Sequence, residues 1–154
     1  MQNQELQQAI MEMLQSELSA MHYYQHASRF IKDSGASYHF NLLAQEELEH
    51  ARTFYGVYPG DDLPDFEELV KDSAHREAKL SSLDPKLLGR LNERAALQLA
   101  IKMEEEVANS LHVMLENVRN PAARVAIEEN IESTLSHLQL IKEDFQRMFE
   151  PKNS

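Results

Sequence analysis

Glu47-Leu48-Glu49-His50 places a carboxylate and an imidazole three residues apart. Positions three apart on a helix are surface neighbours, so Glu47 and His50 can address one cation. Two more glutamates, Glu17 and Glu104, fall within the apolar stripes of other segments, and His137 lies late in the chain where it could join them. A carboxylate in an apolar stripe is costly to bury without a counter-charge, and in helical bundles a metal ion is the commonest solution. Oxygen and nitrogen donors of this kind support metal binding. Cysteine is absent, which removes disulfides, thiolate zinc sites and iron–sulfur clusters. Any metal must then be held by Glu, Asp and His, a donor set that suits iron, manganese or zinc.

The elements that would carry these residues are helical. Only four glycines and five prolines occur in 154 residues, with abundant Leu, Ala, Glu, Gln and Met, a composition that favours a nearly all-α chain. That length fits one domain, 1–154, able to bury about 70% of its unfolded surface. Helical periodicity marks four long segments. The first runs from about Gln4 to Lys32, with Leu6, Ile10, Leu14, Glu17, Met21, Tyr24 and Ile31 facing inward, and Asp33-Ser34-Gly35 closing it through a glycine C-cap. The second runs from about Ser37 to Tyr55, with Phe40, Leu43, Glu47, His50 and Phe54 on one face. The third starts after Asp84-Pro85, read as N-cap and first helical position, and carries Leu97, Ala100, Glu104, Val107, Leu111, Met114 and Val118 before Asn120-Pro121. The fourth, from about Ala122 to Phe149, turns Ile127, Ile131, Thr134, Leu138, Ile141 and Phe145 inward.

Short turns join the first segment to the second and the third to the fourth, so each pair should form an antiparallel hairpin. The stretch Gly56 to Asp84 opens with the turn-rich Tyr58-Pro59-Gly60-Asp61-Asp62-Leu63-Pro64 and continues as a short helix, about Phe66 to Lys79. It is long enough to run the roughly 30 Å length of a bundle. A four-helix bundle with one long crossover and a short extra helix is the expected architecture.

In an antiparallel bundle the midpoints of the helices meet at one level. Glu17, Glu47, Glu104 and the stretch Thr134 to His137 each lie near the middle of their segments. A lone glutamate on an apolar stripe usually sits at its edge and reaches solvent, and a lone histidine there is usually a hydrogen-bonded core residue. Neither explanation accounts for agreement in register and level across all four segments. Three buried carboxylates without compensation would repel one another and take up protons; two divalent cations, or one with supporting histidines, remove the conflict. Glu49, Glu105 and Glu106 are rotated about their helices onto the solvated face. His22, His26, His39, His75 and His112 fall outside the set by rotation, height or location, and Met13, Met21, Met103 and Met114 read as core filler. Tyr24, two turns after Glu17, is either a packed core aromatic or a hydrogen-bond donor to a ligand carboxylate.

The residues resemble the ferritin-like superfamily, and within it the rubrerythrin branch, over nearly the whole chain. Glu17 followed by Tyr23-Tyr24 resembles that family's first-helix ligand with its trailing tyrosine. Glu47-Leu48-Glu49-His50-Ala51 resembles the Glu-x-x-His-Ala of its second helix, and Ala100-Ile101-Lys102-Met103-Glu104 its third-helix segment ending in a ligand glutamate. The resemblance implies a ferritin-like bundle with two iron ions: Glu17 and His50 terminal to one, Glu104 and His137 serving the other, and Glu47 bridging. Thr134 stands where the family's fourth helix has the first residue of a second Glu-x-x-His, so one bridging carboxylate is missing and the second ion has a poorer site. Val107 stands where rubrerythrins carry an exchangeable glutamate, so their redox-linked ligand swap is not expected. Without cysteine there is no rubredoxin iron site in these residues to supply electrons.

The expected chemistry is therefore oxidation of Fe²⁺ by O₂ or hydrogen peroxide, or peroxide reduction under oxidative stress. The alternative is a non-catalytic metal-binding, storage or assembly protein with a degenerate site. A net charge of −11 argues against a nucleic-acid partner, which wants a basic face. The amino-terminal residues lack the pattern of a signal peptide, and no apolar run approaches the ~20 residues that span a bilayer. The sequence thus reads as cytoplasmic, with no membrane partner, and a homodimer is expected.

Overall fold

Asn3–Ala27 contains neither glycine nor proline, and its large apolar side chains recur every three or four positions. In the computed structural model, which describes residues 3–83 and 92–150, this segment is one unbroken helix, α1. Among the described residues four more follow: α2 (Ser34–Val57), α3 (Phe66–Leu83), α4 (Glu93–Asn117) and α5 (Pro121–Phe149). Among the described residues there is no strand.

Three helices begin with the same device. The side-chain oxygens of Asp33, Asn92 and Asn120 accept hydrogen bonds from the amides of Ala36, Ala95 and Ala123, at 2.8, 2.8 and 3.0 Å. Each satisfies a backbone donor that the helix cannot pair internally, and Pro121 occupies a first-turn position of α5 where no amide is needed.

Two expectations about boundaries need correction. The first helix ends at Ala27 rather than near Lys32, the chain turning over Ser28 to Phe30. Gly35 is not its C-cap: no glycine among the described residues has positive φ, and Gly35 lies in the first turn of α2. Asp33 explains both, because its carboxylate caps α2 and so assigns Ser34-Gly35 to the following helix. The expected start at Asp84-Pro85 lies outside the described residues.

Antiparallel pairing is visible at both ends of each hairpin. The Ser37 hydroxyl donates to the Ser28 carbonyl at 2.9 Å where α1 meets α2, and at the far end the Gln7 amide donates to the Pro59 carbonyl at 2.7 Å. For α4 and α5, Arg124 donates to the Leu115 and Val118 carbonyls, both at 2.8 Å, while Arg94 lies over the Phe145 ring at 5.7 Å. The hairpins pack together chiefly through α2 against α5. The crossover helix α3 lies on α1, with Ser73 Oγ 2.8 Å from His22 Nε2, and the Phe66 ring packs on the Tyr55 ring, 5.5 Å between centroids.

The core runs the length of the bundle through Ile10, Leu14, Phe40, Phe54, Leu97 and Ile127, all fully buried. Edge-to-face contact between Tyr24 and Phe40, centroids 5.0 Å apart, helps hold α1 to α2. On α5 the buried stripe differs from the apolar reading. Leu138 and Phe145 are half-buried, and beside the expected Thr134 and His137 the inward face includes Asn130 and Asp144. An apolar template drifts by one position here because the true stripe passes through polar residues.

Candidate metal centre

Four of those inward stripes are interrupted by ionisable groups. Glu17 on α1, Glu47 on α2, Glu104 on α4 and His137 on α5 are 1%, 2%, 2% and 3% exposed. His50, one turn after Glu47, is slightly more accessible. Donor atoms of Glu17, Glu47 and His50 form one group, and those of Glu47, Glu104 and His137 a second, all within 4.8 Å of one another in each. Glu47 belongs to both. The structure therefore brings together all five residues singled out in the sequence, from four helices.

Hydrogen bonding divides the two groups. Neither carboxylate oxygen of Glu17 has a hydrogen-bond partner, nor has Nδ1 of His50. That nitrogen sits 3.4 Å from Glu17 Oε2 and 3.5 Å from Glu47 Oε2 without an aligned hydrogen bond. On the other side, Nδ1 of His137 lies 3.1 Å from Glu47 Oε1 and 3.8 Å from Glu104 Oε1, and the Tyr24 hydroxyl donates to Glu104 Oε1 at 2.6 Å.

The electrostatics follow these distances. Burial pushes the Glu47 carboxyl up, but its contacts with His137 and His50 pull it further down, to below the ordinary value. Burial shifts Glu104 upward; His137 opposes the shift most strongly, and the neighbouring Glu47 charge adds to it. Burial lowers the His137 pKa, yet the two glutamates outweigh it and raise the value to about 10. The Tyr24 phenol is pushed well above its usual value by burial and by Glu104, so it remains a proton donor.

A divalent cation fits this donor set. Both oxygens of a 1%-exposed carboxylate without partners would be costly to keep ionised. A cation among Glu17, Glu47 and His50 removes the cost and engages both Glu17 oxygens and His50 Nδ1, which lack partners. Thr134, 1% exposed on α5, supplies no carboxylate, so the second group has His137 alone from that helix.

Two contributors were missed in the sequence. Ser133 Oγ lies 2.9 Å from His50 Nε2 and 3.3 Å from His137 Nε2. A carboxylate oxygen of Glu46 also contacts His137 Nε2. The available signal was spacing, as Ser133 is four residues before His137 and Glu46 precedes Glu47, but a serine and a surface glutamate carry little weight alone. The excluded residues lie elsewhere: Glu49, Glu105 and Glu106 are exposed, and His39 pairs with Asp144 at 2.6 Å.

An antiparallel helical bundle whose helices converge glutamates and histidines able to hold a metal is the architecture of the ferritin-like class. Within that class, the family model described as Rubrerythrin matches residues 8–143. The chain belongs to the rubrerythrin family, whose members typically bind iron. No curated protein and no solved structure matches it.

Proposed function

We propose that the protein is a di-iron carboxylate protein that oxidises Fe²⁺ with O₂ or hydrogen peroxide. The observation that carries this reading is the pair of donor groups sharing Glu47, one with both Glu17 oxygens buried and unpartnered. Glu17 and His50 would hold one Fe²⁺, Glu104 and His137 the other, with Glu47 between them. Two Fe²⁺ ions taken up as substrate by these groups would each give one electron to a single oxidant molecule. With hydrogen peroxide, two Fe²⁺ give two electrons, two protons are taken up, and two waters form.

The protein's own groups would do the rest. Glu17, Glu47 and Glu104 offset the added positive charge of the ferric product. Tyr24 holds Glu104 in place, and surrounding apolar side chains keep bulk water out. Substrate Fe²⁺ as its own electron source suits a chain whose 154 residues contain no cysteine and hence no rubredoxin-type iron site.

The test is aerobic addition of Fe²⁺ with absorbance followed over time, alongside a metal count. Oxidation faster than in buffer, with two ions bound per chain, is expected. A protein that binds two ions but oxidises Fe²⁺ no faster than buffer would refute the catalytic reading. A second reading, metal binding or storage without catalysis, is favoured by Thr134, which leaves α5 without a carboxylate at the centre. One ion per chain supports that alternative, and none argues against both.

A further inference from the structure

Both candidate ligand histidines carry their outer nitrogens to the same place. Their rings are stacked, 14° from parallel with centroids 5.4 Å apart. Nδ1 of each faces the carboxylates, and Nε2 of each points away, toward Ser133. We propose that the Ser133 hydroxyl is a shared positioning group that orients both imidazoles at once, with Glu46 as an additional anchor for His137 alone. The inference rests on the metal reading given above.

A neutral imidazole that offers Nδ1 to a cation must carry its proton on Nε2. Two Nε2–H groups then need acceptors. A serine oxygen has two lone pairs and can accept from both, and its distances of 2.9 and 3.3 Å permit this. Glu46, whose carboxylate also contacts His137 Nε2 and is 44% exposed, adds a charged acceptor on one ring only. Among the described residues, His50 Nε2 has no such second partner. Ser133 comes from α5 and His50 from α2, so the hydroxyl also ties the two hairpins together beside the donor groups. Outer hydrogen bonds of this type fix ring orientation and tautomer, and losing one typically costs about 10- to 100-fold in metal affinity.

The shared anchor makes an asymmetric prediction. Ser133→Ala should weaken both ions, whereas Glu46→Ala should weaken only the one held by His137. Ser133→Thr, which keeps the hydroxyl, should restore binding. Co²⁺ titration followed by visible absorbance reads the affinity and number of ions in each variant. Imidazole ¹⁵N-edited spectra of the Zn²⁺-loaded protein read how fast each Nε2–H exchanges with water, which a hydrogen bond to Ser133 slows at both rings and a merely structural role of Ser133 would not. Circular dichroism confirms that each variant is folded.

Expected are two ions in the wild type, a drop of about 10- to 100-fold at both in Ser133→Ala, and faster exchange of both Nε2–H protons in that variant. Weakening at one ion only, or unchanged spectra, overturns the shared anchor. A wild type that takes up two ions with no change in Ser133→Ala overturns this inference and leaves the metal reading intact. A wild type that binds no Co²⁺ overturns both.

Discussion

Glu17 shows how one side chain can cost stability in one state and organise function in another. Its buried oxygens have no hydrogen-bond partner, so in chelator the carboxylate is a liability. Replacing it with an apolar side chain of similar length, Glu17→Met, should raise the melting temperature in EDTA, by on the order of 1–4 kcal/mol of stability. The same variant should gain less than the wild type when metal is added back. Calorimetry with and without Fe²⁺ under anaerobic conditions reads both effects, and a lower melting point for Glu17→Met in EDTA would contradict the account. Tyr24 offers a complementary case. Tyr24→Phe keeps the ring against Phe40 but strips Glu104 of its 2.6 Å donor. Removing a buried hydrogen bond to a charged group costs about 1.5–3 kcal/mol, so denaturant unfolding should shift accordingly. Both residues stood out in the sequence because a glutamate and a tyrosine recur on an otherwise apolar stripe. Ser133 and Glu46 did not, since nothing in a chain of letters says which way a serine beside Thr134 will face.

At the level of elements, the junction between α1 and α2 is held by charge as much as by packing. Arg147 near the end of α5 donates to both oxygens of Asp33, at 3.0 and 2.7 Å, and to Asp144 at 3.1 Å. The Arg147 hydrogen bonds, followed by the Ala36 amide, lower the Asp33 pKa to about 2. A depressed carboxyl pKa contributes stability that is present above the unfolded value, near 3.8, and is lost as pH falls through about 2. The melting-temperature gap between wild type and Arg147→Ala, read by thermal melts across the range, should therefore be widest above pH 4 and close towards pH 2. Asp33→Ala, which also removes the α2 cap, should cost about 0.5–2 kcal/mol at neutral pH. Asp33 and Asn120 stood out in the sequence as helix stops, but each caps the helix that follows. A glycine two positions later suits the end of one helix as well as the start of another, and the amide of Ala36 settles the choice.

For the molecule as a whole, a bundle whose centre holds three buried glutamates should depend on metal for much of its stability. A ligand that binds only the folded chain adds about 2.7 kcal/mol at a hundredfold excess over Kd. EDTA should accordingly lower the melting temperature, and Fe²⁺ or Mn²⁺ should restore it. An unchanged melt would favour a scaffold with protonated glutamates. Thr134→Glu should raise occupancy at the Glu104 and His137 side by adding a carboxylate from α5, which a metal count can follow. Among the described residues no helix is long and apolar enough to cross a membrane.

The four long helices, their antiparallel pairing and the stripe positions of Glu17, Glu47 and Glu104 could be read from the chain because each depends on local periodicity and on the length of a connection. A repeat of 3.6 residues assigns faces, and a short turn leaves a helix no partner but its neighbour. Other features required distances between segments far apart in sequence. These include the unpartnered Glu17 oxygens, the hydroxyl of Ser133 reaching two imidazoles from different helices, and the closer approach of His137 to Glu47 than to Glu104. Periodicity can say that a side chain turns inward. It cannot say which atoms then meet, because that is set by how two hairpins slide and rotate against each other.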